Sequence, residues 1–200
     1  MTDSIITLDA LMEIYRSKGY LRYEQPSRLN LVGIRSKELV AGTFNDVIAC
    51  FWKNPNLGQM DLLKFKGTTV AGLYYLLHPM NIDGTGILVE GNYHDSHAIG
   101  LHRGKYEAFV QVGDMKFYRD NNKDGEYDFD PKTLFTGKIG CNIHRANPEY
   151  ESVLVDKWSA CCQVCANPIG FDHLIYLGHE HEKLYGNKFD YTLLNEKDFI

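Results

Sequence analysis

The sequence predicts a mainly β (α+β) protein: a mixed or barrel-like sheet with one helix at the N-terminus and another near the C-terminus. Three observations carry that reading. Helical periodicity occurs in only two places, near each end. Between them, short apolar or alternating runs recur, separated by Gly, Pro, Asn and Asp. The chain also holds thirteen Tyr and ten Phe, residues that favour a pleated, half-buried surface.

Leu8, Leu11, Met12 and Tyr15 share one helical face, with Thr7 as its cap and Lys18-Gly19 as its end. Residues 1–26 are therefore expected to be the N-terminal helical elaboration of a single domain, 1–200. Arg22 to Pro26 is a connector. Strand-like runs follow at Leu29 to Ile34, Phe44 to Trp52 and Leu62 to Lys66, where Leu63 and Phe65 alternate with lysines. Leu77 to Leu88, with Asp83-Gly84, is expected to cross the mouth of a site. Tyr106 to Val112 and Met115 to Tyr118 flank Gly113-Asp114 and predict a hairpin with a type II′ turn. Gly170 to Tyr185 predicts a helix stopped by Gly186. Phe189 to Leu194 predicts a last strand, placed at a sheet edge.

The chemistry concentrates in Lys138 to Val164. Ile139, Cys141 and Ile143 alternate with Gly140, Asn142 and His144, which puts His144 on the face opposite the isoleucines. Seventeen residues lie between His144 and Cys162, and the chain there ends in Ser159-Ala160-Cys161-Cys162. A His and a Cys that meet in space suffice for thiol catalysis: the imidazole takes the proton and the thiolate attacks. A lone Cys in an apolar run is more often a small core residue, and a strand His more often a surface one. Ser159 three positions before Cys162 and the strand leading to His144 argue for the functional alternative.

This order resembles the L,D-transpeptidase (YkuD-like) family, whose motif is a His with a small residue after it, a variable stretch, then Ser-His-Gly-Cys and an Arg two residues on. His144, Ser159 and Cys162 occupy the first His, the Ser and the nucleophile. Ala160 stands at the second His, Cys161 at the Gly, Val164 at the Arg, and Arg145 at the small residue. Gly67 to Tyr74 is similar in part to the family's Thr-Pro-Thr-Gly signature, which precedes a strand of the catalytic sheet. More loosely, the chain resembles uncharacterised phage and prophage proteins reading Asn-Ile-His-Arg and Ser-Ala-Gly-Cys-Gln-Val here. The resemblance implies an L,D-transpeptidase-type sheet, with Cys162 as nucleophile and His144 as base. Cys161, Arg145 and Ser159 would form or orient the oxyanion site, the base being held by a backbone carbonyl after the His. His102, Asn142 and Tyr93 would line the substrate cleft. The implied partner is the peptidoglycan stem peptide, cleaved at the bond between a diamino acid's L-centre and a D-residue.

Composition narrows the rest. Net charge is −5 and no basic run stands out, so nucleic acid is not an expected partner. No run approaches the apolar length that spans a membrane. The N-terminus carries an acid and lacks a signal peptide's apolar core. The expectation is synthesis in the cytoplasm, with release to the cell wall if the protein is a phage-type lysin. That favours hydrolysis, as an L,D-carboxypeptidase or endopeptidase, over cross-link formation. A degenerate wall-binding or virion module is the non-catalytic alternative, and the oligomeric state is left open. Four of five Cys crowd 141–165, which suits free thiols rather than a disulfide framework. No cofactor is expected. His94, His97 and His102, the pair His179 and His181, and the thiols invite zinc but lack ligand spacing. Asp120 to Asp130 matches the first six positions of a calcium loop, yet Pro131 stands where the bidentate Glu belongs, so a metal-free turn is expected.

Overall fold

The computed structural model describes residues 3–200. It is mainly β, with a large mixed sheet, an N-terminal helix and a C-terminal helix. The strands are β1 (Asn30–Arg35), β2 (Asp46–Lys53), β3 (Met60–Thr68), β4 (Thr85–Leu88), β5 (Gly91–His102), β6 (Tyr106–Gln111), β7 (Met115–Asp120), β8 (Phe135–Gly137), β9 (Ile143–Arg145), β10 (Gln163–Cys165) and β11 (Phe189–Asn195). The helices are α1 (Leu8–Lys18), α2 (Leu73–Leu77) and α3 (Pro168–Tyr185). Eight strands close in the order β1-β11-β5-β6-β9-β10-β3-β2, and β4-β7-β8 form a separate sheet. Among the described residues no helix is long and apolar enough to cross a membrane.

Period-two alternation sorts the core. In β2, Ile48, Cys50 and Trp52 join the main cluster with α3's Phe171, Leu174 and Leu177. The intervening Val47, Ala49 and Phe51 meet Leu11, Ile14 and Tyr15 of α1. β1 divides the same way, so both faces of these strands are covered and they read as continuous apolar runs. Each large α1 side chain buried there contributes on the order of 2 kcal/mol. The helix begins where expected, Thr7 Oγ1 accepting from the Ala10 amide at 3.2 Å, and ends at Gly19 with φ 66°. Of the 1–26 elaboration, the first two residues lie outside the described residues.

Three local expectations are corrected. Tyr106 to Val112 and Met115 to Tyr118 do not pair: β6 lies between β5 and β9, and β7 between β4 and β8. Gly113 is held against β5, its amide donating to Ser96 O at 3.0 Å, and the chain there passes between sheets. The true hairpin is β5–β6, turning through Arg103 and Gly104, both with positive φ. The final strand is not an edge: β11 lies between β1 and β5, buried on both faces, with Phe189, Tyr191 and Leu193 turned to the main core. Gly67 to Tyr74 leads into the short helix α2, not a strand.

Candidate active site

β9 and β10 run parallel, with Gln163 opposite Ile143 and Val164 opposite His144. Parallel strands begin at the same end, so the residues just ahead of each, Asn142 and Cys162, come side by side. The Gln163 amide donating to Asn142 O at 2.9 Å fixes that register. Gly140, with φ +77°, ends the alternation before β9, which makes the strand shorter than the sequence pattern implies.

His144 is buried and doubly held. Its Nδ1 lies 2.7 Å from Arg145 O and 3.1 Å from the Tyr106 hydroxyl, which itself donates to Arg145 O at 3.2 Å. An Nδ1–H donated to that carbonyl leaves Nε2 as the acceptor. Nε2 is buried without a partner. The Cys162 thiol is its neighbour, with no closed hydrogen bond between them. The thiol leans instead on Gly140 O at 3.4 Å.

The Cys162 thiol is held well below the usual thiol range. The adjacent Cys161 thiol does most of this by hydrogen bonding, burial opposes it, and the His144 imidazole and Asn142 N–H add to it. Cys161 is pushed the other way by hydrogen bonds to the Cys141 and Cys162 thiols and by burial. The pair thus divides into a thiolate-prone Cys162 and a protonated Cys161 that donates to it.

The turn carrying both thiols is braced from three sides. Ser159 Oγ donates to Cys162 O at 2.8 Å, and the Gly72 amide donates to Ser159 O at 2.9 Å. Cys161 O accepts from Cys141 Sγ at 2.9 Å and Gln163 Nε2 at 3.2 Å, and Gln163 Oε1 accepts from the Tyr191 hydroxyl at 2.7 Å. In a trans peptide C=O and N–H point opposite ways. Anchoring the Cys161 carbonyl inward therefore turns the Cys162 N–H outward. The N–H groups of Cys161 and Cys162 have no acceptor among the described residues.

His102 stacks on His144, ring centroids 4.1 Å apart. Asn142 Oδ1 accepts from the Gln111 amide at 2.8 Å, so its Nδ2 donates to His102 Nδ1 at 3.0 Å and the His102 proton sits on Nε2. Burial, and then the neighbouring His144, push His102 down to about 4, which keeps it neutral at pH 7. His102 and Asn142 are thus brought together with His144, His102 stacked on its ring and Asn142 bonded to His102. The Arg145 guanidinium lies over the Tyr106 ring, 4.2 Å from its centroid. Tyr93 is not brought there. Its hydroxyl donates to Val89 O at 2.6 Å and its ring packs on the main core.

A groove of about 360 Å³ runs past Cys161 and Ala160, walled by Met80 and Thr85 and carrying Arg119 and Lys138. Segment 77–88 thus borders the site, as the sequence suggested. His97 is fully buried, its Nε2 3.0 Å from Cys141 O. His94 meets Asp190 and His179 meets two glutamates. Tyr106, Gln111 and Gln163 were missed by sequence reasoning. The Arg103-Gly104 turn is the one signal that finds Tyr106, since closing it pairs Tyr106 with His102. No family model, curated protein or solved structure matches the chain.

Proposed function

We propose that this protein is a cysteine acyl-transfer enzyme of the L,D-transpeptidase type, acting on peptidoglycan stem peptides as a hydrolase, with Cys162 as nucleophile and His144 as base. The observation that carries the reading is the His144 ring, fixed through Nδ1 by Arg145 O with a free Nε2 beside a thiol of lowered pKa. That is the geometry a thiol–imidazole pair needs.

In this reading Nε2 takes the Cys162 proton and the sulfur attacks the scissile carbonyl. The oxyanion is held by the outward N–H of Cys162, with the Cys161 N–H, which likewise needs an acceptor, as the second donor. The C–N bond breaks as His144 returns the proton to the departing amine, leaving a thioester. Water attacks the thioester with His144 taking its proton, and the carboxylic acid and free thiol are released. An amine in place of water would form a cross-link. The Arg119 and Lys138 side chains of the groove supply positive charge suited to a substrate carboxylate. A non-catalytic wall-binding or virion module is the second reading, favoured by the shielding of Cys162, which is only 8% exposed.

Incubation with purified muropeptides and mass spectrometry of the products tests the proposal. A lost terminal D-residue or a cut cross-link, abolished by Cys162→Ala, supports hydrolysis, and a new cross-link supports transpeptidation. Unchanged muropeptides, together with a thiol that alkylates no faster than free cysteine, would favour the binding module.

A further inference from the structure

The loop after β7 reads Asp120-Asn121-Asn122-Lys123-Asp124-Gly125-Glu126-Tyr127-Asp128. Oxygen-bearing side chains stand at its first, third, fifth and ninth positions, with Gly125 at the sixth in a positive-φ turn. Asp120 is only 1% exposed. Its Oδ2 accepts from the Asp128 amide at 3.1 Å, which turns the carboxylate into the loop, yet its Oδ1 is buried and meets no donor among the described residues. An unpartnered buried carboxylate oxygen is a costly thing to keep. Beside it the Asn122 amide nitrogen donates to both Asp124 Oδ2 and Asp128 Oδ2, at 2.8 Å each. One partial positive charge thus bridges two carboxylates.

We propose that this loop is a calcium site, with the free Asp120 Oδ1, Asp124, Asp128 and the carbonyl of residue 126 as ligands, completed by Asn122 Oδ1 after its amide rotates. Among the described residues no three His, Cys, Asp or Glu side chains already surround a common point. Ligation therefore includes replacing the Asn122 nitrogen by the ion and drawing the carboxylates together. This reverses the metal-free turn expected from Pro131. The missing bidentate Glu sets the affinity rather than forbidding binding, and a Kd on the order of 10⁻⁴ M fits a site of this ligand count. Calcium suits the loop better than magnesium, which demands near-ideal octahedral geometry. The Tyr127 hydroxyl donates to Ala71 O at 2.7 Å, so an ordered loop would brace the segment whose Gly72 holds Ser159.

The test uses the full chain, stripped with chelator, titrated with calcium chloride by calorimetry and followed by thermal melting. Binding heat should appear, and the melting temperature should rise by about 5–10 °C at calcium one hundred times its Kd. Magnesium at the same concentration should do less. Asp124→Asn with Asp128→Asn should remove both the heat and the shift. Asp120→Asn provides a second arm. It relieves like-charge repulsion, so the metal-free chain should melt no lower than wild type while the calcium shift is lost. No heat and no shift at millimolar calcium overturns the proposal. So does a shift that magnesium reproduces and the variants retain.

Discussion

Replacing Cys161 by alanine tests the division of labour between the adjacent thiols. By its position beside Cys162, Cys161 is expected from sequence to be a bystander supplying only backbone. In the folded protein its S–H is the largest single stabiliser of the Cys162 thiolate. A hydrogen bond to a charged group contributes about 1.5–3 kcal/mol. At about 1.4 kcal/mol per unit, losing it should raise the Cys162 pKa by about 1–2 units. The sign is fixed: a depressed thiol pKa makes thiolate abundant at pH values where a free Cys, near about 8.5, is still protonated. The rate of alkylation by iodoacetamide against pH, with the labelled residue identified by peptide mapping, reads that pKa directly. Wild type should reach its plateau well below the free-thiol midpoint. Cys161→Ala and Cys161→Gly should move the midpoint up by about 1–2 units, and Cys161→Ser, which keeps a donor, should move it less. His144→Ala should also move it up, since the imidazole contributes in the same direction. A wild-type midpoint in the free-thiol range, or one that neither Cys161→Ala nor His144→Ala displaces, refutes the assignment of Cys162 as the poised thiolate.

Three further outcomes are expected. Tyr106→Phe removes the hydroxyl that contacts Arg145 O and His144 Nδ1; with about 1 kcal/mol lost, Cys162 alkylation at neutral pH or muropeptide turnover should fall about fivefold, and an unchanged rate would show that Arg145 O alone holds the ring. Gly33→Ala places a methyl against the buried Tyr191 hydroxyl and ring, which anchor Gln163 behind the thiol turn; urea unfolding should show a loss of about 3 kcal/mol, and a variant as stable as wild type would mean the barrel wall yields there. His97, His102 and His181 are each pushed down to about 4, chiefly by burial. The unfolded chain therefore binds three protons that the folded chain refuses. Stability present above pH about 6.5 should be lost as pH falls toward 4, at up to about 4 kcal/mol per pH unit, and urea midpoints that stay flat across that window would show the three rings to be more accessible than they stand here.

The sequence alone determined the local elements. The Thr7 cap, the Gly19 stop and the i, i+3, i+4, i+7 face specify α1, because capping and periodicity act within a few residues. The apolar runs of β1 and β2 marked them as strands, while burial on both their faces came from the packing of α1 and α3. That Ser159, Cys162 and His144 come together was legible as a candidate, because a thiol, an imidazole and their spacing have meaning before folding. Which strands pair was decided elsewhere. The Gly113-Asp114 turn has good hairpin chemistry, yet β6 and β7 belong to different sheets, since their apolar faces find better partners in β5 and β9 and in β4 and β8. The contacts around His144 were likewise not read from the sequence: Tyr106 lies thirty-eight residues from His144, and Gln111 thirty-one from Asn142. Pairing β9 parallel to β10 is what sets Asn142 beside Cys162, turns the Cys162 N–H outward and makes Cys161 a donor. Those are consequences of which groups share a buried volume, and only the closed barrel determines that.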